Sequence, residues 1–325
     1  MTFASTSTFT FGIYPGGLLG TDAEILEPVR PDQPEQITGA LRLLQGDAPT
    51  LAVRAYRPYE SAAVLDSPAT PVDPGRYRGE GRVLDLALTF REPDGQLDGW
   101  VDFVRHVVRT EGPHLAALQI CEEPNAYLPI LDGSTPNVRE AVVRGVIAAK
   151  EEALACGFDI AIGFNAVPNF DPADTFWPEL GALMDDRFHR SLDYVGLDFF
   201  PDVFRPLPPE QLAAAVAGVL SSFRDTLGQV GIGSSVPVRI CENGWPTGPD
   251  RSEQRQAEVL EEVVRTLYGL REELNLTGYC YFDLRDADSS GTGLFDRFGL
   301  LRDDYTPKAA FDTYRRLISE LSVSG

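Results

Sequence analysis

Basic residues are scarce in this chain of 325 residues. Lysine occurs only at Lys150 and Lys308, and the excess of 49 Asp and Glu over 28 Lys and Arg gives a formal net charge of −21. Proteins that bind nucleic acid or anionic lipid do so through clustered cations. The composition therefore argues against both as partners and is compatible with a neutral or cationic small molecule.

Long apolar runs and cysteine pairs are also missing. No stretch approaches the roughly 20 apolar residues of a membrane span, and residues 1–17 lack the basic and apolar regions of a signal peptide. We therefore expect a cytoplasmic protein. The four cysteines (Cys121, Cys156, Cys241 and Cys280) are far apart and form no CxxC pair, so we expect buried thiols rather than disulfides or zinc ligands.

What the chain does contain is a regular alternation of short apolar segments with longer helical patterns. The segment 58–81 carries four prolines and predicts an irregular loop where a second helix would be short or absent. Strands are predicted at 9–14, 50–56, 82–90, 114–122, 158–164, 193–200, 237–242 and 277–282. Helices are predicted at 34–45, 97–110, 136–157, 173–190, 209–228, 251–274 and 307–321.

Eight strand–helix units of this length favour a closed (β/α)₈ TIM barrel, with residues 1–325 as a single catalytic domain. An open doubly wound sheet usually begins with a glycine-rich turn. Neither GxGxxG nor GxxxxGK[ST] occurs in the chain. The α/β barrel is therefore the predicted fold.

Barrel enzymes carry their catalytic groups at the carboxyl ends of the strands. No histidine lies there, which argues against an imidazole-ligated metal, and no lysine lies there for Schiff-base chemistry. A GxSxG nucleophile elbow is also absent. What remains is a pair of glutamates, Glu123 after strand 4 and Glu242 at the end of strand 7. An all-carboxylate magnesium site remains as an alternative.

Two carboxyl groups are sufficient for glycoside hydrolysis without a cofactor. One stays protonated and donates to the leaving oxygen, while the other attacks the anomeric carbon. Strands 4 and 7 lie three places apart around an eight-stranded ring, so their ends face each other across its mouth. For a retaining mechanism we expect the carboxyls of Glu123 and Glu242 to lie about 5–5.5 Å apart.

Two motifs resemble the retaining glycoside hydrolases of clan A: Glu-Pro-Asn after strand 4 (120–125, ICEEPN) and Glu-Asn-Gly-Trp-Pro after strand 7 (240–246, ICENGWP). The segments 193–204 and 278–317 resemble strands 6 and 8 of the same enzymes. This resemblance implies that Glu123 is the general acid/base and Glu242 the nucleophile. It also implies that Arg54, on strand 2, supports the nucleophile.

The chain departs from that pattern at three places, where the sugar would be recognised. Glu122 stands where the clan has an asparagine, Phe200 near a tyrosine that serves the nucleophile, and Phe282 where a tryptophan platform is usual. Further candidates for substrate contact or support are Asn165, Asp198 and Trp245. The prediction is hydrolysis or transfer of a β-glycosidic bond in a small carbohydrate. A non-catalytic carbohydrate-binding barrel and a carboxylate–magnesium lyase remain as alternatives.

Overall fold

The predicted barrel is confirmed. A computed structural model describes residues 9–21 and 23–322, and in it eight parallel strands close on themselves, with the first strand paired to both the second and the eighth. The strands are β1 Thr10–Ile13, β2 Leu51–Tyr59, β3 Arg82–Phe90, β4 Leu115–Ile120, β5 Ala161–Ala166, β6 Tyr194–Asp198, β7 Val238–Asn243 and β8 Leu276–Tyr281. Helices surround this barrel, so both faces of most strands are buried.

Eight α-helices are found in the described part of the chain. They are α1 Pro34–Gln45, α2 Leu97–Glu111, α3 Val138–Cys156, α4 Phe176–Leu183, α5 Asp186–Ser191, α6 Leu212–Gln229, α7 Glu253–Leu270 and α8 Ala309–Leu321. The predicted helix 173–190 is in fact two helices, α4 and α5. Asp185 separates them because its carboxylate accepts hydrogen bonds from the backbone N–H groups of Arg187 and Phe188, which caps a new helix.

The connection after β2 contains no α-helix, as its prolines predict. Its regular structure is limited to one 3₁₀ turn, Pro74–Tyr77. Proline supplies no N–H group and blocks helix continuation, which explains why this connection remains a loop. The loop folds over the mouth of the barrel, where Thr70 pairs with Tyr56 through two backbone hydrogen bonds.

The layer between strands and helices is apolar. In α2 the buried side chains include Trp100, Val104 and Val107, spaced along one helical face. Trp100 is fully buried and donates from its indole nitrogen to the carbonyl of Ala141 on α3, as expected for a core residue. This layer fixes the strands, and therefore the side chains at their ends.

The prediction of buried thiols is right for three cysteines and wrong for Cys156. Cys121, Cys241 and Cys280 are buried, whereas Cys156 is exposed at the last turn of α3. All four are free thiols. In residues 9–21 and 23–322, no helix is both long and apolar enough to cross a membrane.

Candidate active site

A cavity of about 1660 Å³ opens at the carboxyl ends of the strands. Its lining includes Glu122, Glu123, Asp198 and Glu242, which come from β4, β6 and β7 and the turns that follow them. Both predicted catalytic glutamates therefore face one cavity.

The turn that carries Glu123 has an unusual backbone. Cys121 and Glu123 both have positive φ, 64° and 46°, a conformation that costs a non-glycine residue about 1–3 kcal/mol. The turn is held by hydrogen bonds from the backbone N–H of Glu123 to Asn165 Oδ1 (2.8 Å) and from Gln119 Nε2 to the carbonyl of Cys121 (2.9 Å). Strain of this kind is common where a side chain must be aimed at a substrate.

Asp132 anchors the same turn, and it was not among the predicted site residues. Its Oδ2 accepts hydrogen bonds from the backbone N–H groups of Phe90 (2.7 Å) and Glu122 (2.8 Å), so it joins β3 to the β4 turn. Burial raises the pKa of Asp132 to about 7. An acidic residue seven positions beyond the Glu-Pro-Asn motif carries no pattern that would have singled it out.

The polar residues next to the two glutamates connect neighbouring strands. The Asn125 amide exchanges two hydrogen bonds with the backbone of Val167 after β5. The Asn243 amide donates to the carbonyl of Phe199 and accepts from the Tyr279 hydroxyl. Residue 244 has to be glycine, because a Cβ there would lie 2.0 Å from the carbonyl oxygen of Phe282. Both motifs therefore fix the geometry of the loops around the cavity.

Glu242 is buried and receives a hydrogen bond from a residue that the sequence analysis missed. The hydroxyl of Tyr56 donates to Glu242 Oε1 and in turn accepts from Nε of Arg54 at 2.7 Å. Nε of Arg54 lies 3.9 Å from the same carboxylate oxygen. The guanidinium thus acts on Glu242 largely through Tyr56. Arg54 and Tyr56 are two positions apart on β2 and so share a strand face, but that spacing does not indicate that Tyr56 reaches Glu242.

Arg54 also serves two other carboxylates. It is fully buried, and its Nη2 lies 3.4 Å from Glu122 and its Nη1 3.7 Å from Asp85. Gln119 completes this network by accepting from Arg54 (2.8 Å) and donating to Glu122 Oε2 (2.5 Å). One guanidinium is therefore shared among three buried or nearly buried carboxylates.

Three carboxylates converge beside this arginine. One oxygen each from Glu122, Asp198 and Glu242 lies within 4.8 Å of the others. Asn165 donates to Asp198 Oδ2 at 2.5 Å, while Oδ1 of Asp198 is buried with no hydrogen-bond partner among the described residues. Asn165, whose own amide groups are paired, connects the β4 turn to β6, and Asp198 faces the cluster.

The crowding of carboxyls changes their protonation. Burial and the neighbouring Glu122 raise the pKa of Glu123 to about 8, so that it keeps its proton at neutral pH. Burial likewise raises the pKa of Asp198 and of Glu242. For Glu242 the Arg54 guanidinium and the Tyr56 hydroxyl oppose that rise. Among these three groups, Glu242 has the contacts that best stabilise a carboxylate.

The predicted aromatic contacts divide into two groups. Phe282 and Phe200 line the cavity, and Phe282 stacks on Tyr14 with ring centroids 5.2 Å apart. Trp245 lies elsewhere: it is buried, donates to Asp202 at 3.1 Å and packs under Arg251. Its position three residues after Glu242 suggested contact with substrate, but the indole lies outside the cavity lining.

No family model matches this chain, and no curated protein matches it either. Solved structures with a similar fold include β-glucuronidases. The enzyme from Ruminococcus gnavus in complex with D-glucuronic acid is 15% identical, with a TM-score of 0.59 over 96% of this chain and 49% of its own. The β-D-glucuronidase of Dictyoglomus thermophilum is 11% identical, with a TM-score of 0.60 over 97% of this chain and 50% of its own.

A GH2 β-galacturonidase from Eisenbergiella tayi, bound to galacturonate, is 14% identical, with a TM-score of 0.52 over 74% of this chain and 41% of its own. The chain thus spans half or less of the length of these structures. At such low identity the similarity concerns the barrel fold alone.

Arg54→Met is expected to destabilise the fold by about 3–5 kcal/mol, because it removes the cation from a group of buried carboxylates. Urea unfolding should show that the free energy of unfolding of Arg54→Met falls further below that of the parent protein at pH 8 than at pH 5. Burial raises the folded-state pKa of Glu242 and Asp198, so both carboxyls are protonated at low pH and their lost partner matters less there.

Arg54→Lys keeps the charge but not the fork of donors, so it should fold and lose less stability than Arg54→Met does. Equal stability of Arg54→Met and the parent protein at both pH values would contradict this account of the cluster.

Proposed function

We propose that the chain is a single-domain retaining glycoside hydrolase that cleaves β-glycosidic bonds. The observation that carries the proposal is the difference between two glutamates in one cavity. Burial and Glu122 raise the pKa of both glutamates, but only Glu242 accepts a hydrogen bond from the Tyr56 hydroxyl and lies beside the Arg54 guanidinium. An acid next to a stabilised carboxylate is the pair that this chemistry requires.

In the proposed reaction, the Glu242 carboxylate attacks the anomeric carbon as the bond to the leaving oxygen breaks. Glu123 gives its proton to that oxygen. Water then attacks the glycosyl–Glu242 ester, passes a proton back to Glu123 and releases Glu242. A sugar hydroxyl in place of water would give transglycosylation from the same intermediate.

The charge of the cavity suggests which sugars it accepts. Among the described residues, eight acidic and three basic side chains line it, and two of those three, Arg76 and Arg205, are exposed. Two of the similar structures described above hold D-glucuronic acid or galacturonate, whose ionised forms are anions. Here the carboxylate of Glu122, next to Glu242, would repel a sugar carboxylate. We therefore propose a neutral or cationic glycon.

A screen of 4-nitrophenyl glycosides tests the proposal. Neutral β-glycosides and β-glucosaminide should be hydrolysed, β-glucuronide should not, and Glu242→Ala should be inactive throughout. Retention would be read by NMR of the first-formed anomer. If no glycoside is turned over, the catalytic proposal fails. Activity of Glu242→Ala equal to that of the parent would exclude Glu242 as the nucleophile.

Glu122→Gln should shift the pH dependence of kcat/KM. In the parent protein activity should fall as the pH rises through about 8, where Glu123 loses its proton. Glu122 raises the pKa of both Glu123 and Glu242, and its neutral isostere should therefore move both limbs to lower pH. Because glutamine keeps the oxygen that accepts from Gln119, the fold should be retained. Unmoved limbs in an active variant would limit Glu122 to a structural role.

The three-carboxylate cluster favours a second candidate, a carboxylate–magnesium lyase. Oxygen ligands at this spacing suit a divalent cation. The cluster already accepts hydrogen bonds from Gln119, Asn165 and Tyr56, which satisfies one oxygen on each carboxylate without a metal. Glycoside hydrolysis that survives dialysis against EDTA supports the glycosidase. The absence of hydrolysis, with Mg²⁺-dependent elimination from an acidic substrate in its place, would support the lyase.

A further inference from the structure

The mouth of the cavity carries a ring of exposed apolar side chains, which we call the apolar collar. Eleven large apolar side chains are exposed in the described part of the chain, and five of them line this one cavity. They follow five different strands of the barrel: Ile25 after β1, Val72 after β2, Leu128 after β4, Phe170 after β5 and Phe204 after β6.

Such a concentration is informative because single exposed apolar residues are normal, whereas grouped ones mark a binding surface. The exposed fractions are large, 61% for Phe170, 58% for Phe204 and 74% for Val72. Each of these side chains projects from a loop, where a polar side chain would interact more favourably with water. The collar is therefore suited to bind an apolar group.

The collar is continuous with the floor of the site. The Phe282 ring, stacked on Tyr14, lies 6.4 Å from Phe200, and Phe200 lies 6.2 Å from Phe204 at the rim. Phe204 in turn lies 6.2 Å from Phe295. An unbroken aromatic wall thus leads from the level of Glu242 to the opening, which is the direction a bound molecule would follow out of the site.

The lining of the cavity is also rich in proline. Seven prolines line the cavity, and proline has no backbone N–H. They are Pro28, Pro31, Pro34, Pro58, Pro68, Pro168 and Pro201. At these seven positions the backbone offers no N–H to a further sugar unit, whose hydroxyl groups would lose water there. The wall favours a group without hydroxyls over an oligosaccharide.

We propose that the collar binds the aglycone of the substrate, and that this aglycone is an apolar aryl or long-chain alkyl group. This inference rests on the proposed function, because the acid that protonates the leaving oxygen has to face the leaving group. Glu123 lies in the same cavity as the collar, on the β4 turn that also carries Leu128. The sugar would then occupy the carboxylate floor, and the aglycone would lie between Phe170 and Phe204.

Octyl and methyl β-glycosides of the same sugar test this inference directly. The octyl compound should show a kcat/KM at least about tenfold higher, since burial of each methylene favours binding. The double variant Phe170→Ser/Phe204→Ser should reduce the octyl-to-methyl ratio about tenfold. Leu43→Ser and Leu154→Ser, exposed apolar positions outside the cavity, should leave the ratio unchanged. A ratio near one in the parent protein would overturn the inference.

A binding experiment separates this inference from the catalytic proposal. Octyl and methyl β-thioglycosides, which resist hydrolysis, would be titrated calorimetrically into the parent protein and the double variant. Tighter octyl binding that depends on Phe170 and Phe204 supports the collar even if no glycoside is hydrolysed. Equal binding of both compounds overturns it. So does a double variant that changes only the molar mass in light scattering, because the collar would then be an interface between copies of the chain.

Discussion

Glu242→Gly is expected to lower kcat on the order of 10⁴-fold or more, because the proposed covalent intermediate cannot form without this carboxylate. The substitution also leaves a gap beside the anomeric carbon. Azide should enter that gap, attack in place of the carboxylate and restore turnover of a glycoside with a good leaving group. The product should be a glycosyl azide of inverted configuration, identified by NMR.

Glu242→Gln is the matched control for this experiment. Glutamine fills the space that glycine opens, so it should be equally inactive and azide should not rescue it. Circular dichroism would show that both variants fold. Near-normal turnover by either variant, or rescue of both by azide, would show that Glu242 is not the nucleophile. The environment of Glu123 would then have no assigned function.

The parts of the molecule that could be predicted from sequence are those with local patterns. The eight strands were recognisable as apolar segments, and the prolines of residues 58–81 correctly indicated a missing helix. Glu123 and Glu242 could be placed in one cavity because the ends of parallel strands in a barrel meet on the same side. This placement follows from the order of the strands and requires no knowledge of side-chain contacts.

What could not be predicted depends on contacts across strands. Tyr56 supplies to Glu242 the hydroxyl that Phe200 lacks, yet nothing local indicates that a β2 tyrosine reaches a β7 glutamate. Trp245 was expected at the substrate and is buried, because it contacts Arg251 and also Asp202, which lies on another loop, after β6. The role of Arg54 was identified only in part, since its sharing with Asp85 and Glu122 depends on the barrel interior.

The carboxyl-rich floor has an energetic consequence. Burial opposes ionisation of Glu123, Asp198 and Glu242, and the Arg54 guanidinium is shared among the carboxyl groups that it stabilises. Catalytic sites commonly keep such unfavourable arrangements because function requires them. Here burial, together with the same repulsion, keeps the proton on Glu123, which is where the proposed glycoside cleavage needs it.

Glu123→Ala is therefore expected to separate substrates by their leaving groups. An alkyl glycoside, whose oxygen must be protonated as it departs, should lose about 10²–10⁴-fold in kcat/KM. A 2,4-dinitrophenyl glycoside departs without a proton, so its kcat/KM should change little. For that substrate kcat should still fall, because water lacks its general base and the glycosyl–Glu242 intermediate accumulates. The decline in activity near pH 8 should disappear.

Azide distinguishes this variant from Glu242→Gly by stereochemistry. In Glu123→Ala the nucleophile remains, and azide attacks the covalent intermediate without needing a base, so the glycosyl azide should retain the configuration of the substrate. Glu60→Ala, an exposed acidic residue lining the same cavity, is the matched control and should behave as the parent protein does. Equal losses for both leaving groups would show that Glu123 does not act as the acid. An inverted azide product would mean that no covalent intermediate forms on Glu242, since two displacements at one carbon must restore its configuration.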